Sequence, residues 1–383
     1  MIPAHSTFSF ATATRVIFGN GSLARVKDEA SRLGQRALLV TGSNPSRISD
    51  LAKIIGIPHH LFKVLGEPDV PLVQAGADTA ISERCDMVIA VGGGSVIDAG
   101  KAISALMTNR SHIMTYLEVI GDGQPLSQHP APFIAVPTTA GTGAEVTKNA
   151  VILSREHNVK VSLRSDAMLP DVAIVDPSLT ISTPRDVTAS TGLDALTQVI
   201  EPYVSVKSNP LTDAICEAGI KRAARSLKIV CDDGTNLSAR EDMAITSLFG
   251  GLALANAGLG AVHGFAGPIG GLFDIPHGVV CGRLLPFVFK ANVAAVSNIP
   301  KMHARFARVA EWLTGNPGCS VEDGIQWLDE LCTNLNLRGL SSYGVTEGDL
   351  DKIVTAAKRA SSMKGNPVVL SDNVLKRILE QAM

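Results

Sequence analysis

Apolar positions run through the first half of the chain as short unbroken blocks and through the second half at helical intervals. Blocks at Arg15–Phe18, Arg36–Thr41, His60–Val64, Met87–Val91 and Phe133–Val136 read as strands. Ala37–Val40 and Met87–Val91 are apolar at every position instead of alternating, the pattern of parallel strands covered on both faces. Shorter blocks at Ala150–Leu153, Val159–Leu163 and Val172–Val175 extend or cover the sheet. Helical patterns alternate with these blocks, as parallel α/β layers require. Beyond Asp176-Pro177 the spacing changes. Segments 187–204, 211–230, 239–257, 301–314, 321–335, 347–361 and 371–382 carry apolar residues at the helical period, with few strand-like blocks between them. The expectation is an α/β domain over residues 1–182 followed by an all-α domain over 183–383.

Composition narrows the function classes. A chain of 383 residues is long enough for two cores. A net charge of −2 gives no electrostatic case for nucleic acid or an anionic membrane. Met243–Phe273 holds no Asp, Glu, Lys or Arg and could be tested as a membrane span. Its eight glycines, with Ser247, Asn256 and His263, favour a buried helix running into a glycine-rich loop. The opening MIPAHSTFSF lacks the basic and apolar regions of a signal peptide. Six scattered Cys with no C-x-x-C argue against a zinc ribbon or disulfide scaffold, and a reducing cytoplasm is expected.

Two loops carry candidate chemistry. Met87–Val91 runs into Gly92-Gly93-Gly94-Ser95 and then a helical pattern containing Asp98 and Lys101. Glycines before a helix N-terminus let backbone N–H groups reach a pyrophosphate, although a tight turn without ligand uses the same residues. The stretch is not G-x-G-x-x-G. Pro137–Gly143 forms a second such loop, where Thr138, Thr139 and Thr142 could border a ribose or nicotinamide. In the second half, Asp194 and Gln198 stand four apart and share one helical face. With His263 and His277 they offer a carboxylate, an amide and two imidazoles, a donor set for Fe²⁺ or Zn²⁺. Each His taken singly also suits a structural role.

In this order and spacing the chain resembles the iron-containing (group III) alcohol dehydrogenases over nearly its whole length. The residues that carry the resemblance are Phe18-Gly19-Asn20-Gly21, Gly92-Gly93-Gly94-Ser95 with Asp98 and Lys101, and Pro137–Gly143. They continue with Asp176-Pro177, Pro184, Gly192–Leu196, Glu201, His263-Gly264 and Pro276-His277-Gly278. The resemblance implies a Rossmann-like dinucleotide-binding domain plus a helical domain, the architecture shared with dehydroquinate synthase. It implies NAD(P)(H)-linked interconversion of a small alcohol and an aldehyde in a homodimer. The metal, Fe²⁺ with Zn²⁺ as the alternative, falls to Asp194, Gln198, His263 and His277, and the catalytic residues are Asp194, His263 and His277. Cofactor contacts fall to Gly42, Ser43, Gly92, Gly93, Gly94, Ser95, Asp98, Thr138, Thr139, Thr142, Val151 and Lys160. Asn149 and Phe265 face the substrate.

The chain departs from the family at three points. Gln198 stands where His is usual, and Gly267 stands where many members carry a second His four residues after the first. Gly42, followed by Ser43, Asn44, Pro45, Ser46 and Arg47, replaces the Asp of many NAD-preferring relatives. Without that carboxylate, and with hydroxyls and Arg47 nearby, a 2′-phosphate is accommodated, so NADPH is expected to be accepted and NADP(H) favoured. Two competing readings are a lyase resembling dehydroquinate synthase and a nucleotide-binding paralogue whose metal site has decayed. The uncharged 243–273 segment argues against the first, and the retained Asp194, His263 and His277 argue against the second.

Overall fold

The structure, a computed structural model, describes residues 7–43, 50, 51, 53–157 and 159–383. It divides into two compact units: Thr12–Thr139 with Gly143–Ser182, and Thr183–Met383 with Ala140–Thr142 and the segment ending at Ala11.

In the α/β unit, β1 (Arg15–Phe18), β2 (Ala37–Thr41), β3 (His59–Lys63), β4 (Met87–Gly92), β5 (Phe133–Pro137) and β8 (Val172–Val175) form one parallel sheet. Its order is β1-β8-β5-β4-β2-β3. Alternate residues serve opposite faces. Leu38, Val40, Val88, Ala90, Phe133 and Ala135 pack with α2 (Val70–Ser82) and α3 (Gly94–Thr108). Ala37, Leu39, Met87, Ile89, Ile134 and Ile174 pack with Val26 and Ala30 of α1 (Val26–Leu33). Burial on both faces explains the unbroken apolar blocks. The remaining strands, β6 (Asn149–Ser154) and β7 (Val159–Arg164), pair antiparallel in a hairpin of their own. Burial alternates along β6, and Ala150 and Ile152 join the α2–α3 core.

The helical unit consists of α4 (Arg185–Val204), α5 (Pro210–Asp232), α6 (Leu237–Ala257), α7 (Ala261–Leu272), α8 (His277–Ala295), α9 (Pro300–Thr314), α10 (Val321–Asn334), α11 (Leu350–Arg359) and α12 (Asp372–Ala382). Buried almost throughout after Thr188, α4 packs against α5, α6 and α8. Met243–Phe273 differs from expectation, because its glycine-rich half is the helix α7. The chain turns by 100° between α6 and α7. Gly258 ends α6 with φ +67°, a conformation costly for residues bearing a Cβ. The sequence pattern did not predict α8. It is apolar around most of its circumference and carries Pro286 inside, so no amphipathic period marks it. By length and hydropathy α8 could cross a membrane, yet 61% of that apolar window is buried within the protein.

Candidate active site

Three helices bring the ligand-type residues together. Asp194, Gln198 and Glu201 lie at i, i+4 and i+7 on α4 and therefore share a face. His263 sits in the first turn of α7, and His277 opens α8 with Cys281 one turn later. Gly278 allows this convergence: a Cβ there would lie 2.2 Å from the Ser190 carbonyl oxygen of α4. His263 Nε2 is 3.1 Å from Asp194 Oδ1 and His277 Nε2 is 3.9 Å from the same oxygen. Cys281 Sγ is 3.6 Å from His263 Nε2. One donor atom from each of Asp194, His263, His277 and Cys281 lies within 4.8 Å of all the others. A carboxylate, two imidazoles and a sulfur converging at this range fit a divalent transition metal.

Glu201 holds this cluster from behind. One carboxylate oxygen accepts the Val262 N–H at 2.7 Å, and the other meets His263 Nδ1 at 2.7 Å. A carboxylate on Nδ1 fixes the ring and aims Nε2 at the cluster. Burial alone would lower the His263 pKa. The Cys281 sulfur and the hydrogen bonds to Asp194 and Glu201 outweigh it and hold the imidazole well above its ordinary value. Burial would raise the Asp194 carboxyl, but the charge of His277 and the hydrogen bond and charge of His263 keep it below the usual range. Burial pushes the Cys281 thiol up to about 12. The His277 side chain is 36% exposed while Asp194 is 2% exposed, so the cluster opens on the His277 side. Gln198 is buried, and its Nε2 donates to the Gly141 carbonyl oxygen at 3.2 Å, which leaves Oε1 as the only atom it can offer a cation.

In the α/β unit, β2 and β4 are neighbours whose outgoing connections lead to β3 on one side and β5 on the other. Such a switch point is where open α/β sheets bind ligands, at the carboxyl ends of the strands. Gly42 and Ser43 leave β2 there, and Gly92–Ser95 leave β4. Gly93 caps α3 without a side-chain bond. Thr138 N donates to Gly92 O at 2.9 Å, and a Cβ on Gly93 would sit 3.4 Å from Thr139 Oγ1, so both candidate loops meet here. Arg47 lies outside the described residues. Thr142 groups with the helical unit.

Further candidates have structural partners. Asp98 Oδ2 accepts from Val151 N at 3.1 Å, and Asn149 O accepts from Lys101 Nζ at 2.7 Å. Lys160 Nζ pairs with Glu67 Oε1 at 3.2 Å. Phe265 requires a correction: it has no exposed surface and lies in the packed core of the helical unit. Two residues on a helix turn about 200°, so Phe265 and His263 point to opposite sides of α7. Sequence reasoning did not find Cys281 and took Glu201 only as a family marker. Their signals were the offsets His277+4 and Asp194+7.

Beside the glycine loop lies an ionic cluster. Lys101 Nζ donates to Ala144 O, Thr147 Oγ1 and Asn149 O at 2.7–2.9 Å and lies 3.8 Å from Asp98 Oδ1. Burial lowers Lys101 to about 8 and raises Asp98 to about 6 and Glu145 to about 7, in each case against opposing charges. Folded Glu145 thus keeps a proton that the unfolded chain loses near the ordinary 4.5, and its stabilising contribution disappears as pH rises through about 7. Glu145→Gln should therefore gain thermal stability relative to wild type between pH 5 and pH 8. A melting-point difference constant across that range would refute the assignment.

Known proteins match this chain along nearly its whole length. Residues 13–177 match the model "Iron-containing alcohol dehydrogenase", and 188–383 match the C-terminal model of the Fe-containing alcohol dehydrogenase family. The chain is 34% identical to the 1,3-propanediol dehydrogenase of Klebsiella pneumoniae, across 99% of this chain and 100% of that one. A crystal structure of 1,3-propanediol oxidoreductase superposes with a TM-score of 0.92 at 34% identity, covering 99% and 100% of the two chains. Sulfoacetaldehyde reductase from Bifidobacterium kashiwanohense, solved in complex with NAD⁺, gives 0.86 at 29% identity, covering 99% of each.

Proposed function

Since the chain belongs to the iron-containing alcohol dehydrogenase family and is an oxidoreductase of CH–OH groups, we propose that it interconverts small aldehydes and primary alcohols with NAD(P)(H) in a metal-dependent reaction. The observation that carries this reading is the convergence of Asp194, His263 and His277, with Nε2 to Oδ1 distances of 3.1 and 3.9 Å. When bound, nicotinamide supplies the hydride and a divalent cation the Lewis acid that polarises the carbonyl.

The protein's own residues provide placement. Asp194, His263 and His277 would hold the cation, with Gln198 Oε1 as a weaker neutral donor, and Glu201 keeps the His263 ring aimed. In the α/β unit, Gly92–Ser95 and Thr138–Thr139 present backbone N–H and hydroxyl groups to the cofactor, and the start of α3 favours its phosphates. The hydrogen bond from Val151 to Asp98 fastens β6 to α3 and keeps that loop in place. Gly267 has no atom within 4 Å of its Cβ position and no side chain to relay a proton, which leaves that work to water or a cofactor hydroxyl. The uncharged 243–273 stretch supports a small, neutral substrate.

His277→Ala should lower metal content and cut turnover by about 10²–10³-fold, the loss typical of removing a transition-state electrostatic partner. Full activity in protein stripped of metal would sink the metal-dependent reading. Among the described residues no atom lies within 4 Å of a Cβ on Gly42 at the end of β2, where a carboxylate would repel a 2′-phosphate, and this supports NADP(H) as the favoured cofactor. An aldehyde panel run with NADH and NADPH tests it. A kcat/KM for NAD⁺ well above that for NADP⁺ would reverse the preference.

A further inference from the structure

We propose that Cys281 is itself a metal ligand, so that this chain binds its cation through Asp194, His263, His277 and a thiolate and is suited to Zn²⁺ or Co²⁺ over harder ions. The inference rests on the metal-dependent reading above and adds a donor to it.

Geometry is the first support. In a tetrahedral site with bonds of about 2.0–2.1 Å to N or O and 2.3 Å to S, neighbouring donors stand about 3.3–3.6 Å apart. The observed separations are 3.1 Å for His263–Asp194, 3.6 Å for Cys281–His263 and 3.9 Å for His277–Asp194. The sulfur therefore stands at ligand spacing from His263 and within 4.8 Å of the Asp194 and His277 donors. Cys281 follows His277 by one turn of α8, which places both donors on one helical face. The thiol is fully buried and forms no disulfide.

Charge is the second support. In a buried site a divalent cation is best matched by two anionic donors, and unpaired charge there is costly. Asp194 supplies one. Glu201 is engaged with the Val262 N–H and the His263 ring. Gln198 is neutral, and its amide nitrogen is taken by Gly141. A thiolate at 281 supplies the second anionic donor, since the Glu201 carboxylate reaches the cluster only through the His263 ring. On binding, the S–H bond breaks, a sulfur–metal bond forms and the proton passes to solvent, with no change of oxidation state. Thiolate donors favour Zn²⁺ and related ions over Mg²⁺ or Mn²⁺.

Cobalt titration reads this directly. Wild-type protein loaded with Co²⁺ should show visible d–d bands and an intense near-ultraviolet sulfur-to-cobalt charge-transfer band. Cys281→Ser and Cys281→Ala should lose the charge-transfer band, while Gln198→Ala keeps it. Zn²⁺ affinity, measured by competition with a chelator, should fall in Cys281→Ala by more than the roughly 10–100-fold that losing an outer hydrogen-bond partner costs. It should fall far less in Gln198→Ala. Cobalt bound by wild type without a sulfur band would overturn Cys281 ligation and leave the metal reading intact. Failure of wild type to bind cobalt at all would overturn both.

Discussion

Replacing Glu201 with Ala is expected to destabilise the helical unit by about 3–5 kcal/mol, the cost of breaking a buried charge pair from one side. Two groups lose their acceptor at once: the Val262 N–H at the start of α7 and His263 Nδ1, both 2.7 Å from the carboxylate. Each stays buried, and an unsatisfied buried donor costs about 1–3 kcal/mol. Glu201→Gln separates support of the fold from orientation of the ring. The amide oxygen can still accept from Val262 N, but the amide NH₂ then faces Nδ1 and donates to it. That moves the imidazole proton to Nε2, the nitrogen aimed at Asp194, and removes its lone pair from the cluster. The Gln variant should thus unfold in urea close to wild type and bind metal about 10–100-fold more weakly, the cost of losing the hydrogen bond that orients a metal-binding imidazole. Equal metal affinity in wild type and Glu201→Gln would show that Glu201 does not set the tautomer.

Lys101→Met carries the second large effect. The substitution keeps most of the side-chain volume but removes the donor shared by Ala144 O, Thr147 Oγ1 and Asn149 O. It also strips the largely covered Asp98, 14% exposed, and the buried Glu145 of their cation. A loss of about 3–5 kcal/mol follows at pH 8, where the carboxyls would be buried charges without a partner. At pH 5 both can take up a proton, and the loss should shrink. Guanidinium denaturation at the two pH values measures the difference. Asp98 also holds β6 to α3, so the apparent KM for the cofactor should rise along with the instability. An equal loss at both pH values would mean that the hydrogen bonds of Lys101, and not its charge, account for its role.

The strands were legible because burial on both faces of a parallel sheet removes polar interruptions, as in Met87–Gly92. By contrast, α8 was not legible, since a helix buried nearly all round loses the polar stripe that gives the period away. The glycines of α7 suggested a loop. Packing overrode that propensity: the Cβ position of Gly264 lies 2.8 Å from Met363 of the same unit, a close approach that favours glycine inside the helix. Within the site, Asp194 and Gln198 could be read from one helical face. The meeting of Asp194 with His263 spans 69 residues and is a tertiary fact that no local pattern encodes. Cys281 sits among apolar neighbours and reads as core, and Phe265 shows the opposite failure, an aromatic near a ligand that points away from it. Lys101 reads as an ordinary polar helix position, yet its side chain is 1% exposed. Sequence spacing gives direction around an element but not depth below the surface.

Asp194, His263, His277 and Cys281 lie on α4, α7 and α8, all within the Thr183–Met383 part of one unit. An ion held there acts as a cross-link between helices that are far apart in sequence, and its binding energy is gained only when they are folded together. By linkage, free metal at about 100 times its dissociation constant adds about 2.7 kcal/mol to the state that binds it. Among the described residues, the four donors of this cluster all come from the helical unit. On the metal-dependent reading, loss of the ion therefore takes this stabilisation from the helical half at the same time as it takes the activity.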